Sequence, residues 1–333
     1  MITLLDIQEA AQRIAGQVHE TPVLTSQTMD ALASQDGVAR QLFFKCENLQ
    51  RIGAFKIRGA MNAVLALDDE TAKRGVVTHS SGNHAQALAL AARTRGIPAH
   101  IVMPSNSPAV KCEAVRGYGG QIVFCEPTQE SRESNANRIA EETGATLIPP
   151  YDDDAVIAGQ GTIALELFRS HPDLDAVIVP LGGGGMISGI ALAYRELAPH
   201  VQVIGAEPAL AADAFESKAS GALVAQKKPL TIADGLRTSL GKHTFPVVRD
   251  VVSSIVLVDE DAIIQSMRLV FERMKLVIEP SAGVSVAVAT GRGQTELAPS
   301  LKRIGVILCG GNVNLDALPW TLNKLPVSLA GKH

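Results

Sequence analysis

Apolar and polar positions along the chain fall into two alternating patterns. Short β-branched runs read as strands at Gly75–Thr78, Ala99–Met103, Gln121–Phe124, Ala176–Pro180, Val201–Gly205, Ile255–Val258 and Ile304–Cys309. Several are apolar nearly throughout, as expected of parallel strands covered on both faces. Between them lie amphipathic stretches of helical period, such as Ala85–Arg95, Ser131–Thr143 and Asp261–Met274. This repetition predicts an α/β protein with right-handed crossovers. No internal repeat or low-complexity tract breaks it. Pro149-Pro150 followed by Tyr151-Asp152-Asp153-Asp154 reads as a hinge. It separates an α/β unit of about 75 residues from the longer C-terminal half. The segment after Leu318 is weakly patterned and expected to be peripheral.

At 333 residues, two compact units are expected. Hydrophobic residues make up 46% and charged residues 19%, which excludes a disordered chain. A net charge of -4 with no basic run argues against nucleic acid or an anionic membrane as the main partner. Three Tyr, eight Phe and one Trp are too few for a stacking platform. No stretch approaches the ~18–20 apolar residues of a membrane helix. The first residues reach acidic positions at once, so no secretory signal is expected. Cys46, Cys112, Cys125 and Cys309 are scattered without a CxxC pair. Reduced thiols in the cytoplasm are the expectation, and a zinc site is not.

Three segments are unusual. Ser80-Ser81-Gly82-Asn83-His84 follows a strand and opens a helix. Such a turn presents free N–H groups and the positive dipole end to a carboxylate or phosphate. It reads equally as an ordinary capped turn, since Ser and Asn are common caps. Second, Gly182-Gly183-Gly184-Gly185 precedes Met186. Consecutive glycines are entropically costly, and close approach of a phosphate explains them. A flexible turn is the bland alternative. Gly183, Gly185 and Gly189, with Glu207 ending the next strand, also approach a dinucleotide fingerprint, which keeps a nicotinamide-dependent oxidoreductase open. Third, Lys56 lies among apolar residues and glycines near a helix start. Desolvation and the helix dipole lower a lysine pKa and make a usable nucleophile. A surface lysine covering apolar neighbours fits the same local sequence.

Taken together, Ala54-Phe55-Lys56 with Arg58-Gly59-Ala60, the Ser80–His84 turn, the glycine run and Cys309-Gly310-Gly311-Asn312 resemble the fold-type II pyridoxal-phosphate enzymes. Among these, the chain is most similar to the serine/threonine dehydratases and serine racemases. The likeness spans residues 5–315, and Val156–Thr162 and Ile278–Gly283 fit it too. Four motifs in one order are far more specific than any single motif. The resemblance implies a two-lobed α/β fold of tryptophan synthase β type. The large lobe would be 1–68 plus 150–333 and the small lobe 75–149, with the active site in the cleft. A homodimer is also implied.

By the same resemblance, Lys56 would carry pyridoxal 5'-phosphate on its amine and then act as base on one face of the substrate α-carbon. Phe55 would lie against the ring and Asn83 would hydrogen-bond its hydroxyl. Gly182 to Gly185 and Met186 would cradle the phosphate. Cys309 would face the ring nitrogen, where racemases of this type usually have Ser and some serine dehydratases have Cys. Neither side chain firmly protonates the ring, which favours elimination over a long-lived carbanion. Ser80, Ser81, Gly82 and Asn83 would bind the substrate carboxylate. Ser81 would stand opposite Lys56 as the second proton donor, a feature of the racemase-like subgroup. Glu207, the carbonyl of Ala211 and Asp213 match that subgroup's E-x-x-x-A-x-D cation pattern. Hard oxygen ligands favour Mg²⁺ or Ca²⁺; a solvated acidic loop is the alternative.

The expected reaction is dehydration of L-serine or L-threonine to a 2-oxo acid and ammonia, with serine racemisation as a second activity. A 3-hydroxyaspartate substrate is the close alternative. His79, Lys111 and Arg132 match positions facing the far end of a dicarboxylate ligand, and Arg132 would pair its second carboxylate. Arg132 reads equally as a helix-surface residue paired to Glu130 or Glu133. A non-catalytic amino-acid-binding module is a further rival, disfavoured by Lys56 and Ser81. With little chain after Asn312 to form a regulatory domain, feedback by isoleucine is not expected.

Overall fold

The computed structural model describes residues 1–34, 37–226 and 229–320. The chain opens with α1 (Leu4–Ile14), β1 (Val23–Leu24), α2 (Gln27–Ala33), β2 (Gln41–Lys45), α3 (Lys56–Ala66) and α4 (Asp69–Lys73). A contiguous stretch follows: β3 (Val76–His79), α5 (Asn83–Arg95), β4 (Ala99–Pro104), α6 (Ala109–Gly117), β5 (Gln121–Cys125), α7 (Gln129–Thr143) and β6 (Thr146–Leu147). Next come α8 (Asp154–Ser170), β7 (Ala176–Pro180), α9 (Gly185–Leu197), β8 (Gln202–Pro208), α10 (Asp213–Ser220) and α11 (Thr244–Asp250). The last elements are β9 (Ser254–Val258), α12 (Glu260–Met274), α13 (Pro280–Ala289) and β10 (Arg303–Ile307). Most of the segment after Leu318, from residue 321, lies outside the described residues.

Two sheets result. Six strands run in the order β1-β2-β10-β7-β8-β9, with only β1 antiparallel. Four parallel strands run β5-β4-β3-β6. All five residues of β7 are buried, because helices cover both faces of the large sheet. Burying each large apolar side chain contributes about 1.5–3 kcal/mol, and Leu42, Phe44, Ile178 and Ile204 all do so here. Ligand sites in open parallel sheets form beyond the carboxyl ends of the strands. The glycine run leaves β7 there and Cys309 leaves β10 there.

β1, β2 and β6 lie outside the strands predicted above. β1 and β6 have two residues each. β2 is masked by its polar ends. Lys45 is 1% exposed because its ammonium donates to Glu166 Oε2 at 2.6 Å and to the Thr21 carbonyl at 2.7 Å. β10 ends at Ile307 and β8 runs on to Pro208, so Glu207 lies inside a strand.

The helix α8 is wedged between α3 and α9 by glycine contacts. A Cβ at Gly159 would lie 2.6 Å from the Gly59 Cα, and one at Gly189 would lie 2.6 Å from the Gly161 nitrogen. Gly189 is therefore needed for helix packing.

Candidate active site

Lys56 is the first residue of α3. Two residues on, Arg58 is fully buried and fastens that turn. Its guanidinium donates to both Glu47 oxygens at 2.7 and 2.8 Å and to both Glu166 oxygens at 2.6 and 2.8 Å. The Lys56 ammonium donates to the Pro150 carbonyl at 2.6 Å, inside the predicted hinge. It lies 5.1 Å from the Phe55 ring centre and 6.0 Å from that of Tyr151. Desolvation draws its pKa down to about 8, opposed by Cys309 and Glu279. The amine thus sits in a weakly polar pocket close to its neutral, nucleophilic form.

Cys309 is part of the same pocket: the Phe55 N–H donates to its carbonyl at 3.0 Å. Burial, reinforced by Glu279, holds its thiol well above the usual range, so it is a neutral SH.

Helix starts divide into two groups. α1, α2, α4, α7, α8 and α12 are capped by Thr3, Ser26, Asp68, Thr128, Asp153 and Asp259. The N-cap residues of α3, α5, α6, α9, α10, α11 and α13 give no side-chain cap; Glu207 serves α10 and Asp152 serves α11 from other elements, and α3, α5 and α9, whose first residues are Lys56, Asn83 and Gly185, are the ones that carry the predicted motifs. In α3 the Arg58 and Gly59 amides are taken by the Phe55 carbonyl and Gln160, while the leading amides of α5 and α9 have no side-chain acceptor and suit an anionic ligand. Gly184 has φ +84°, and a Cβ there would strike Leu240 at 2.8 Å and Thr244 at 2.9 Å. A Cβ on Gly183 would meet the Tyr151 ring at 2.6 Å, and one on Gly182 the Leu236 Cα at 2.8 Å. The loop is walled on its outer side by these residues, and Thr244 Oγ1 donates to the Gly183 carbonyl at 2.9 Å. Asp152 braces the wall, accepting the N–H groups of Lys242, His243 and Thr244. Met186 is buried in the first turn of α9. Backbone amides on a helix start beside a desolvated lysine fit a phosphate-bearing aldehyde cofactor.

Across from this, β3 ends in the Ser80–Gly82 turn. The Gly82 N–H donates to Ser80 Oγ at 3.3 Å, and Ser81 is half-buried. His84 is buried and neutral, its pKa driven to about 3 by desolvation, and its Nε2 meets the Ile148 carbonyl at 3.0 Å. It props the turn against the strand leading into the hinge. His79 is half-buried, and its pKa is lowered by desolvation, with Glu133 opposing and Arg132 assisting. Arg132 pairs with neither Glu130 nor Glu133, and its Nε is buried with no partner among the described residues. Lys111 is engaged: its ammonium donates to Asp234 Oδ2 at 3.1 Å, linking the two sheets' surroundings.

Glu207 takes the Ala214 and Phe215 N–H groups at 2.8 Å each and so caps α10 from β8. Each oxygen takes one N–H, and Glu207 is buried against α10, where a ribose hydroxyl has no approach from solvent. Desolvation raises it to about 8 and Asp213 to about 6. Asp213 Oδ1 accepts from Gln226 at 2.9 Å, while Oδ2 is buried without a partner. Among the described residues no three His, Cys, Asp or Glu side chains are grouped for a metal. A site here relies on the Ala211 carbonyl and the second lone pairs of the carboxylates. The orphan Asp213 oxygen and two crowded buried carboxylates fit a hard cation.

Sequence reasoning gave no role to Glu279, and to Pro150, Tyr151 and Asp152 only that of a hinge. Glu279 is buried, raised by desolvation to about 7, and accepts from the Asn83 amide at 3.1 and 3.2 Å. Its signal was the resemblance of Ile278–Gly283, read there only as similarity.

The model of the family described as "Pyridoxal-phosphate dependent enzyme" matches residues 14–310. A serine racemase of Oryza sativa subsp. indica is 49% identical over 320 residues, 96% of this chain and 93% of that protein. The structure of maize serine racemase superposes with a TM-score of 0.91 at 47% identity, covering 97% of each chain. A pyridoxal 5'-phosphate-dependent aspartate racemase gives 0.89 at 42%, over 96% of this chain and 98% of that one. A threonine deaminase of T.th. gives 0.87 at 40%, over 94% and 99%. The family model covers most of the chain and these relatives nearly all of it, so the chain belongs to the pyridoxal-phosphate dependent enzymes.

Proposed function

We propose that this enzyme dehydrates a small β-hydroxy amino acid, L-serine or L-threonine, to a 2-oxo acid and ammonia, and also racemises serine. The observation that carries this is the desolvated Lys56 amine placed among three uncapped helix starts. Similarity to serine racemases and a threonine deaminase supports both activities. Pyridoxal phosphate, held by Lys56, Phe55, Asn83, Gly182 to Gly185, Met186 and Cys309, supplies the electron sink that loosens the substrate α-proton. The chain's own residues do the rest. The Ser80–Asn83 turn holds the carboxylate through the Ser81 and Asn83 amides and the serine hydroxyls, the Ser80 and Gly82 amides being taken by Val102 and Ser80 Oγ. Lys56 Nζ, whose pKa of about 8 makes a large share of neutral amine available at that pH, takes the α-proton. The Ser81 hydroxyl delivers or removes a proton on the other face. Loss of the β-hydroxyl as water leaves an enamine, which hydrolyses after release.

The lobes 1–68 plus 150–333 and 75–149 are proposed to close over the substrate, with the Pro149–Asp154 segment as hinge. Mg²⁺ or Ca²⁺ at Glu207, Ala211 and Asp213 would brace the cradle, since the Leu240 backbone lies near enough to lower the Asp213 pKa and the Leu240 side chain packs against Gly184. A homodimer in the cytoplasm is part of the same reading. Four buried free cysteines agree with it, and among the described residues no helix is long and apolar enough to cross a membrane.

A second reading has one specific support. The buried, unpartnered Nε of Arg132 and the similarity to an aspartate racemase favour a dicarboxylate such as 3-hydroxyaspartate. His79 lies beside Arg132, whereas Lys111 is held by Asp234. The deciding experiment assays serine, threonine and both 3-hydroxyaspartate diastereomers for 2-oxo acid and for inversion. Lys56→Ala serves as the inactive control. Turnover by Lys56→Ala, or none of the four substrates consumed by the wild type, overturns the proposal.

A further inference from the structure

We propose that Glu279 is a positioning residue: its carboxylate fixes which way the Asn83 amide faces and thereby aims one Asn83 N–H into the cleft. The inference rests on the reading of Asn83 as a cofactor-facing residue.

Glu279 immediately precedes α13, and its side chain makes no ion pair among the described residues. The charged and titratable groups around it are Lys56 of α3, Lys111 of α6, Asp234, and Cys309 beyond β10. A buried carboxylate without a touching cation is costly unless amide donors compensate it. The donors are Asn83 Nδ2, at 3.1 and 3.2 Å from the two oxygens, and the Asn312 N–H at 3.3 Å. Asn312 Nδ2 in turn donates to Asn83 Oδ1 at 2.8 Å and to the Ile52 carbonyl at 2.7 Å.

This ring of contacts leaves Asn83 one orientation. Its amide nitrogen faces a carboxylate and its amide oxygen faces an N–H donor. Turning the amide over would set oxygen against carboxylate and NH₂ against NH₂. One N–H is shared between the two Glu279 oxygens, so the second is free. Without Glu279 the choice between the two orientations is lost.

The placement of Glu279 is itself built in. Its backbone N–H donates to the Gly310 carbonyl at 3.0 Å, and a Cβ on Gly310 would lie 2.7 Å from Oε2. Gly310 of the Cys309–Asn312 motif is therefore glycine to admit this carboxylate. The contact also joins α5, beside the four-stranded sheet, to the end of β10 in the six-stranded one.

The test is a double-mutant cycle on binding of pyridoxal phosphate to the apoprotein. Equilibrium dialysis gives the affinity, and melting of each apoprotein reports its folding. Glu279→Gln keeps the shape but presents an NH₂ to either Asn83 or Asn312, so one donor faces another. Glu279→Gln and Asn83→Ala should each weaken binding about tenfold or more, the scale of a charge-assisted hydrogen bond. The double variant should bind within about twofold of Asn83→Ala, because coupled residues do not add. Additive losses would overturn the proposal, since Glu279 then acts apart from Asn83. Unchanged binding by Asn83→Ala would instead overturn the reading of Asn83 itself. If the Glu279→Gln apoprotein melts at a lower temperature, Glu279→Asp completes the cycle. It keeps the charge at shorter reach, and the same non-additivity is required.

Discussion

Gly59 of α3 and Gly159 of α8 meet backbone to backbone, with no room for a Cβ on Gly159 beside the Gly59 Cα at 2.6 Å. Gly161 and Gly189 repeat the contact between α8 and α9. α8 therefore sets the spacing between the helix that starts with Lys56 and the helix that starts at the glycine cradle.

Gly159→Ala is expected to cost about 1–3 kcal/mol, as overpacking against rigid backbone does. It should also weaken cofactor binding, because α3 and α9 must part. Gly117→Ala, with nothing within 4 Å of its added Cβ, is the control and should stay within about 0.5 kcal/mol of wild type. Denaturation of the apoproteins and cofactor dialysis measure both effects. Equal stability of the two variants would show that α8 yields at this contact.

Ser81→Ala should separate the two activities. Racemisation needs a proton group on each face of the α-carbon, whereas elimination from an L-substrate needs mainly Lys56. Inversion of serine and dehydration of D-serine should vanish. Dehydration of L-serine should survive, with a loss no larger than the ~10²–10⁴ of a general acid–base group. A chiral amino-acid assay beside a 2-oxo acid assay checks this. Wild-type racemisation by the variant would leave Ser81 a carboxylate-binding residue only.

A chelator should lower the melting temperature and the rate together, and Mg²⁺ or Ca²⁺ should restore both, since a ligand bound only to the folded state stabilises it. Asp213→Asn removes one of two crowded carboxylates and should blunt the response. The orphan Asp213 Oδ2 motivates this. Identical melting and turnover in metal-free buffer would refute a cation site.

Arg132→Gln should leave serine turnover within a few-fold of wild type. It should cut kcat/KM for 3-hydroxyaspartate by about 10²-fold, the scale of a lost bidentate carboxylate contact in a dry site. The ratio of the two substrates is the measurement. An equal loss on both would mean that Arg132 organises the site without reading the distal carboxylate.

Burial raises Glu279 from its usual 4.5 to about 7. Between those values the folded apoprotein keeps a proton that the unfolded chain has released. Stability from this group is therefore present at low pH and falls as pH rises through that window. Glu279→Gln cannot titrate. The wild type should lose stability relative to it from about pH 4.5 to 7, with no further relative change above. A constant gap in melting temperature across that range would contradict the raised pKa.

Legibility in the sequence followed the range of the interactions. β7 was plain because its five apolar residues and Leu181 lead directly into four glycines. Lys56 was ambiguous locally and stood out only when four motifs appeared in one order. β2 was hidden because Lys45 looks solvent-bound, while the Glu166 that buries it lies 121 positions away. Glu279 before Pro280 resembles an ordinary helix start, and its partner Asn83 is 196 positions distant. Helix caps were an overlooked signal. Phe55 and Gly184 stand where six helices carry Ser, Thr or Asp, but so do Pro108, Ala212, His243 and Glu279, so the signal is only partial.

The six-stranded sheet has β10 at its centre, paired with β2 in the register Gln41↔Arg303 to Lys45↔Ile307. β3, β4, β5 and β6 instead come from one unbroken stretch, Val76 to Leu147. During synthesis that stretch can fold once it has emerged, whereas β2 must wait for strand residues some 260 positions later. Loop closure over such a span is slow, and an open strand edge invites pairing with other chains. A half-made chain therefore holds every strand of the small sheet while the large one still lacks β10, and the β2 edge that β10 covers stays unpaired until that strand arrives.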